Sequence, residues 1–327
     1  MYRISIANRL RHRRASLANP GVTNHGFASD QRSTGGCVSS ELIVQAIVTG
    51  ILLGGVYSLI CAGLTLTFGV MRIINFAHGE FLMVAMYASY FFAQSFHTES
   101  YVAILVVLPG LFVLGVVTFQ LLIRPVLGAE PLNQMLLLVG LSLVLQNGAL
   151  VLFSPDTRSV QSALLYSKIE LGEVIIGIPK LIAFATSIVV TLALYWLLRS
   201  TELGRRIRAA AIDREAAALM GINVNRVNLI AFGIGIGCLG IAGPVMLPIF
   251  YIVPNIGSFF ILIAFVVVVL GGIGNFIGAL LASFVVAITE SLGALFMPGS
   301  TAPVLPFVLF ILVLLFKPEG LFGARAR

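Results

Sequence analysis

Long stretches of this chain are apolar without a break, and no other feature constrains its fold as much. Residues 101–123, 181–198 and 257–297 run almost without charge, whereas a strand of a membrane barrel would alternate apolar and polar residues. A membrane-spanning helix needs ~20 largely uncharged residues, and these stretches supply them. Only 10% of the residues are charged, whereas a soluble domain carries about 25%. The sequence therefore predicts an all-α integral membrane protein, a polytopic helical bundle, and excludes a soluble enzyme, a disordered chain or a secreted disulfide scaffold.

The charges between the apolar segments indicate how the chain is oriented. The loop 199–227 carries six arginines against three acids, and residues 317–327 carry three basic residues against one acid. Positively charged loops face the cytoplasm, so both should be cytoplasmic. The segment 154–179 has two basic residues against three acids and fits the outer side. Nine apolar segments can be marked: 43–70, 81–96, 101–123, 133–153, 181–198, 228–249, 258–274, 276–297 and 303–316.

The beginning of the chain differs in composition from the rest. Residues 1–39 contain six arginines, one acid and no apolar core of a signal peptide. An arginine-rich tail beside a membrane span is typical of a cytoplasmic anchor facing anionic lipid, which we favour over a nucleic-acid-binding arm. We therefore divide the chain into a basic, disordered cytoplasmic tail at 1–40 and a transmembrane domain at 41–327. The other interpretation is an upstream extension, with the working protein starting near Val38 or Ser39.

Counting the crossings exposes a conflict near the start of the chain. Nine full crossings and a cytoplasmic C-terminus would place the first residue outside, although the tail is strongly basic. We expect about eight crossings plus one broken or re-entrant element between residues 43 and 97, since such elements are tolerated where they pack on protein or line a cavity. Glycines interrupt the first apolar segment and favour a break there: Gly50, Gly54, Gly55, Gly63 and Gly69.

Signatures of catalysis and of metal binding are missing from the sequence. No Gly-Lys dipeptide occurs, so the chain has no Walker A loop, and its four histidines form no HExxH motif. No GxSxG elbow occurs either. The three cysteines cannot all pair, and two lie in apolar segments, as buried small hydrophobic residues do. We predict no catalytic site, no metal and no cofactor on this chain, so any ATP used would bind to another chain.

The loop 199–227 contains the most informative stretch. Asp213 is a good N-cap and Gly221 a good C-terminal stop, which predicts a short alanine-rich helix over residues 214–220. A helix of this length is not stable alone and needs a partner surface. A helix lying on lipid headgroups would usually carry larger apolar residues than alanine. The small side chains favour insertion into a groove of another protein.

Within this stretch, Glu215, Ala216, Ala217 and Gly221 resemble the EAA motif of ABC-importer permeases, the coupling helix that docks into a cleft of the ATPase subunit. Four segments resemble the branched-chain amino acid branch of that family: 69–80 (GVMRIINFAHGE), 213–222 (DREAAALMGI), 264–274 (AFVVVVLGGIG) and 317–323 (KPEGLFG). The resemblance covers residues 41–323. The 39-residue extension departs from it, because such permeases generally begin close to the first span.

The resemblance implies a permease subunit in a bacterial inner membrane, in contact with lipid. Its partners would be a second permease subunit, identical or related, two ATP-binding subunits that hold ATP and Mg, and a periplasmic substrate-binding protein, with no nucleic acid. The residues that would transmit force from the ATPase are Asp213, Glu215, Ala216, Ala217 and Gly221. The arginines just before them either pair with acids on the ATPase or only mark the cytoplasmic side: Arg205, Arg206 and Arg208.

Polar residues inside the apolar segments are the candidates for the translocation path. They are Asn75, His78, Glu80, Gln146, Asn147 and Glu290. An ionised group at the bilayer centre costs on the order of 2.5–3.5 kcal/mol, so both acids should face the bundle interior, a partner chain or the interface. The alternatives are structural: Glu80 pairs with Arg72 or His78, and Gln146 and Asn147 form hydrogen bonds between helices.

The scarcity of charge in the membrane domain bears on the solute. A strongly ionic solute would need buried counter-charges, so a compact zwitterionic or neutral solute fits better. Branched-chain or similar small neutral amino acids satisfy this, as the resemblance implies, and urea or short-chain amides are the alternative. A passive channel would have no need of the EAA helix. A secondary transporter would show paired membrane acids, and an intramembrane enzyme would need a catalytic constellation.

Overall fold

The computed structural model describes residues 40–160, 164, 167–172, 174–297, 301 and 303–323. In this part of the chain the helices are α1 Ser40–Met71, α2 His78–Phe96, α3 Ile104–Thr118, α4 Pro131–Phe153, α5 Ile178–Ser200, α6 Glu202–Ile212, α7 Arg214–Leu219, α8 Val224–Met246, α9 Ile256–Gly271, α10 Phe276–Phe296 and α11 Val304–Phe316. A 3₁₀ turn at Ser100–Ala103 precedes α3, which continues through Phe119–Ile123 and Arg124–Val126. Strands β1 Lys168–Leu171 and β2 Val174–Gly177 form an antiparallel hairpin.

The helices confirm the all-α membrane fold. Six stretches of described helix are long and apolar enough to cross a membrane: 40–71, 100–126, 131–153, 178–200, 224–246 and 276–296. Helices α9 and α11 are apolar but shorter. The expected count of about eight crossings stays a prediction, and the tail at 1–39 lies outside the described residues.

Contacts between loops and helix ends define two opposite ends of the bundle. At the hairpin end, the Gln45 side chain exchanges two hydrogen bonds of 2.9 Å with the backbone of Ile175 in β2. At the other end, which we call the coupling end because it contains the predicted coupling helix α7, the last turn of α1 contacts Arg214 at the start of α7. Helix α1 has 32 residues and is therefore about 48 Å long, enough to connect the two ends. Ser40, where α1 begins, thus lies at the end opposite α7.

The glycines of α1 do not interrupt it, so the prediction of a break at these residues is wrong. The helix continues through all five, and most of them are points of close approach between helices. A Cβ atom at Gly50 would lie 2.7 Å from the Cα atom of Ile288, and one at Gly54 would lie 2.9 Å from that of Phe284. At Gly63 it would overlap the carbonyl oxygen of Gly235 on α8. These glycines let the backbones of α8 and α10 pack closely against α1.

The break lies instead between α1 and α2. Residues 72–77 are not helical, and Arg72 has a φ of 55°, which turns the chain away from the helix axis. Helix α2 then begins with His78, whose Nε2 atom is 3.0 Å from the carbonyl oxygen of Ile60. Ile60 precedes the end of α1 by about three helical turns, or about 16 Å. The connecting segment 72–77 therefore runs back along α1, and α2 begins inside the bundle.

Helix α9 begins at the same depth and runs in the opposite direction. Its Gly257 meets Gly79 of α2 so closely that neither glycine has room for a Cβ atom. From this crossing α2 runs to the hairpin end, where Tyr87 stacks on Phe153 with ring centroids 4.4 Å apart. Helix α9 runs to the coupling end, where the carbonyl of Leu270 accepts a hydrogen bond of 2.7 Å from the backbone N–H of Leu321.

The helix packing is that of an inverted repeat. Helix α1 packs extensively on α10, and the corresponding pair α8 and α3 packs in the same way. Helices α2 and α9 meet at the crossing, and α4 lies against α2 as α11 lies against α9. Since α1 and α8 begin at opposite ends, this contact pattern pairs α1–α4 with α8–α11 in opposite directions, as in the inverted repeats of many transporters.

Candidate functional site

The loop between α5 and α8 folds as two short helices, each with its own cap. Thr201 accepts a hydrogen bond of 3.0 Å from the backbone of Gly204 and begins α6. Asp213 accepts from the amides of Glu215 and Ala216 at 2.9 and 3.0 Å and begins α7. Gly221 follows with a φ of 80°, a conformation that glycine adopts without strain. The helix predicted over 214–220 is therefore present as Arg214–Leu219, one residue shorter, between the predicted Asp213 cap and Gly221.

The surface of α7 is open to a partner. Of its three alanines, Ala217 is buried, and Ala216 and Ala218 are exposed. Glu215 is exposed as well. Two large apolar side chains at its end are almost fully exposed, Leu219 at 89% and Met220 at 83%. Exposed apolar groups of this kind are found where a surface contacts another protein or the membrane. Such a surface would let α7 insert into a groove of another protein, as the sequence predicts.

Arg214 connects this helix to the membrane bundle. Its guanidinium group donates to the carbonyl oxygen of Met71 and, at 3.5 Å, to that of Val70, at the end of α1. Beside this contact lies a cleft of about 420 Å³. It is lined by the end of α1, the start of α4 and residues 211–215. Sequence reasoning did not single out Arg214, since nothing in the local pattern relates it to a helix end 143 residues earlier in the chain.

Three other segments on which the family resemblance rests meet at the same end. The backbone of Leu321 donates to the carbonyl of Leu270 at 2.7 Å, and the Asn275 amide donates to the carbonyl of Phe322 at 2.8 Å. The segment 317–323 therefore folds over the turn between α9 and α10. That turn also approaches α1, because a Cβ atom at Gly69 would lie 3.3 Å from the Cα atom of Gly274.

Glu80 occupies the crossing of α2 and α9. It is fully buried, and its Oε1 atom accepts a hydrogen bond of 3.1 Å from Ser258 in the first turn of α9. Ser142 of α4 also approaches the carboxylate. Because both helices begin here, their amino-terminal dipole ends favour a negative charge at this point. The Oε1 atom of Glu80 thus pairs with Ser258, rather than with Arg72 or His78, while its Oε2 atom is buried without a hydrogen-bond partner among the described residues.

Two neighbours of Glu80 have polar atoms without a hydrogen-bond partner among the described residues. Both side-chain atoms of Asn75 are buried and unpaired, and so is the Nδ1 atom of His78. Buried polar groups of this kind usually bind ordered water. Asn75, His78 and Glu80 are therefore all buried at the start of α2, with His78 against Ile60 of α1 and Glu80 against Ser258 of α9.

The other predicted path residues lie elsewhere. On α4, Gln146 is half-buried and Asn147 is exposed, and the Asn147 amide donates at 2.8 Å to Leu143 of its own helix. Glu290 of α10 accepts a hydrogen bond of 2.8 Å from the Tyr57 hydroxyl of α1. Its neighbour Ser291 donates to Ala46 at 2.7 Å, which places Glu290 in the half of the bundle nearer the hairpin end. The six residues thus form three separate groups.

Comparisons with known proteins find transport permeases along nearly the whole transmembrane domain. The family model described as branched-chain amino acid transport system, permease component, matches residues 46–314. The high-affinity branched-chain amino acid transport system permease protein BraD of Pseudomonas aeruginosa is 29% identical over 294 residues, covering 86% of this chain and 95% of that protein. The LivH permease proteins of Salmonella typhimurium and Escherichia coli K12, of the same description, are each 31% identical over 317 residues with the same coverage. No solved structure matches the chain.

Proposed function

The chain belongs to the family of branched-chain amino acid transport permease components, and we propose that it translocates branched-chain or similar small neutral amino acids as one subunit of an ATP-driven importer. The relatives described above are named for this solute class, which supports it over urea or short-chain amides. The scarcity of charged residues in the bundle agrees with a solute that carries no net charge.

The observation that carries this proposal is the capped, exposed helix α7 at one end of the bundle. Its caps fix a short helix whose apolar end residues have no cover among the described residues. A protein groove would bury them, and in this family scheme the groove belongs to an ATP-binding subunit. That subunit would also bind ATP and Mg. The coupling end would face the cytoplasm of a bacterial cell.

The remaining partners follow from the same scheme. A second permease subunit would complete the path, and a periplasmic binding protein would deliver the solute to the hairpin end. Closure of the two ATP-binding subunits would displace α7, and the bundle would convert this displacement into alternating access. Force would enter through Asp213, Glu215, Ala216, Ala217 and Gly221.

The polar residues of α4 and those at the start of α2 would then have different roles. Gln146 and Asn147 lie on α4, a helix with little burial in this chain, so they would face the second permease and the solute. Asn75, His78 and Glu80 are buried at the start of α2. They would fix the crossing of α2 and α9 rather than contact the solute in this conformation.

The proposal is tested by purifying the tagged chain with its native partners in mild detergent and reconstituting the complex in vesicles. We expect an ATP-binding subunit and a second permease to co-purify, and the vesicles to take up labelled leucine only with ATP and binding protein. Replacing Gly221 with tryptophan or Glu215 with lysine should abolish uptake, because each alters the α7 surface. Uptake of leucine without ATP, or uptake of urea in its place, would contradict the proposal.

A further inference from the structure

Arg214 makes a contact that docking of α7 on a partner does not require. Among the described residues, it is the one side chain of α7 that forms a hydrogen bond to a membrane helix. The rest of the helix contributes mainly the buried Ala217, while its far end is exposed. Helix α7 packs on α6 and α8, and its hydrogen-bonded link to α1 is this one long side chain.

The groups that Arg214 contacts are suited to a guanidinium. The last four carbonyls of a helix have no partner within it, and Val70 and Met71 stand in the last turn of α1. The carboxyl end of a helix also carries a partial negative charge that favours a cation. The two carbonyls accept from the same Nη2 atom of Arg214, which carries two N–H donors.

The surroundings show that the guanidinium is turned into the protein. Burial, with a smaller contribution from the charge of Arg72, lowers the pKa of Arg214. An arginine remains charged at neutral pH all the same, so the contact is made by a cation. Arg226, at the start of α8, offers a contrast because it is exposed and its side chain has no partner among the described residues.

The end of α1 is joined directly to the crossing inside the bundle. The segment 72–77 begins where Arg214 binds and leads to His78, which contacts Ile60, and to Glu80, which contacts α9. Beside this contact, the cleft of about 420 Å³ lies between the start of α7, the end of α1 and Pro131 and Gln134 of α4. Helix α7 therefore has room to move relative to α4, whereas it is tied to α1.

We propose that Arg214 is a positioning residue that transmits the displacement of α7 to the end of α1 and, through segment 72–77, to the crossing of α2 and α9. The inference rests on the proposed function, since it requires an ATP-binding subunit that moves α7. Arg214 binds no solute and no nucleotide in this scheme. It sets how much of the ATPase motion reaches the bundle.

The test compares R214Q with the control R226Q, which removes the same charge at the same end of the bundle. Each variant complex is reconstituted in vesicles, and leucine uptake is divided by the ATP hydrolysed in the same sample. For R214Q we expect this ratio to fall by about tenfold, the effect of losing a hydrogen-bonded charge. We expect the ATP-binding subunits to co-purify in the usual amount. R226Q should keep the wild-type ratio.

Hydrogen exchange of the backbone provides a second readout on the same complexes. In the wild type, exchange in residues 70–80 should differ between the ATP-free and the vanadate-trapped complex, and in R214Q this difference should disappear. If R214Q does not assemble, R214M, which keeps the apolar stem, replaces it. A wild-type ratio in either assembled variant would overturn the inference alone. A wild-type complex without ATP-dependent uptake would overturn the proposed function and this inference together.

Discussion

At the scale of single residues, Glu80 is the best test of the crossing. Replacing it with alanine would leave the Ser258 hydroxyl without its acceptor and open a void between α2 and α9. We expect a loss of about 1 kcal/mol of stability, the net contribution of one hydrogen bond. Glutamine keeps an acceptor oxygen and nearly the same volume, so Glu80→Gln should lose less than half as much.

The measurement is the thermal unfolding of the purified permease in detergent, with Glu41→Ala as the control. Glu41 is an exposed acid in the first turn of α1, so its removal should leave the unfolding temperature unchanged. An alanine variant of Glu80 that unfolds at the wild-type temperature would show that its carboxylate does not hold the two helices together.

Residues whose role depends on near neighbours could be predicted from the sequence, and the others could not. Asp213 caps α7 through amides two and three positions ahead, so its role is visible in the sequence itself. Gly221 ends the same stretch through its own backbone conformation. Arg214 contacts the end of α1, and Glu80 contacts Ser258, 178 positions away. Only the folded chain brings such pairs together.

At the scale of secondary structure elements, α7 depends on its amino-terminal cap. Asp213→Ala removes the acceptor of two backbone N–H groups, which costs about 1 kcal/mol in a helix that has only six residues. Asparagine is as good a cap as aspartate, so Asp213→Asn should retain the helix. We expect the alanine variant to bind less of the ATP-binding subunits and the asparagine variant to bind the wild-type amount. Quantitative mass spectrometry of the purified complexes measures both.

If the two variants of Asp213 lose the partner equally, the charge of this residue contacts the partner directly and capping is not its main role. Equal retention in both would show that α7 forms on its partner without the cap. The comparison therefore separates helix formation from surface charge.

The break near the start of the chain shows where element boundaries resist prediction. Glycines inside a helical pattern suggest weak points, yet in α1 most of them are sites where another helix packs, and the helix continues. The segment 72–77 contains neither glycine nor proline. Its course is fixed by burial of Ile73, Asn75 and Ala77 and by the contact of His78 with Ile60. Such tertiary contacts leave no local sequence signal.

At the scale of the whole molecule, the inverted repeat has almost no trace in the sequence. The two residue triplets that meet at the crossing are Gly79-Glu80-Phe81 and Gly257-Ser258-Phe259, and they share only glycine and phenylalanine. In so apolar a chain, two shared residues carry little information. The repeat is visible only in the packing. Gly79 and Gly257 permit the close approach of α2 and α9, and Glu80 of the first half accepts a hydrogen bond from Ser258 of the second.

The direction of α1 gives a prediction about the whole chain. Its first residues contact the hairpin, and its last turn contacts α7, so Ser40 and α7 lie at opposite ends. If α7 faces the cytoplasm, Ser40 lies on the outer side, whereas the six arginines of residues 1–39 predict the inside. The energetic reason to accept this is the packing of α1, which is 72% buried over its most apolar part and fixes the direction of the helix.

Cysteine labelling decides between the packing and the charge rule. In a background with Cys37→Ser, single cysteines replace Glu41, Glu170 and Met220, all of them exposed, while the buried Cys61 and Cys238 stay in place. In right-side-out vesicles, a membrane-impermeant maleimide should label positions 41 and 170, and label position 220 only after permeabilisation. Labelling of 170 but not of 41 would mean that α1 does not begin at the hairpin side. The charge of the tail would then have determined the topology against the packing of the bundle.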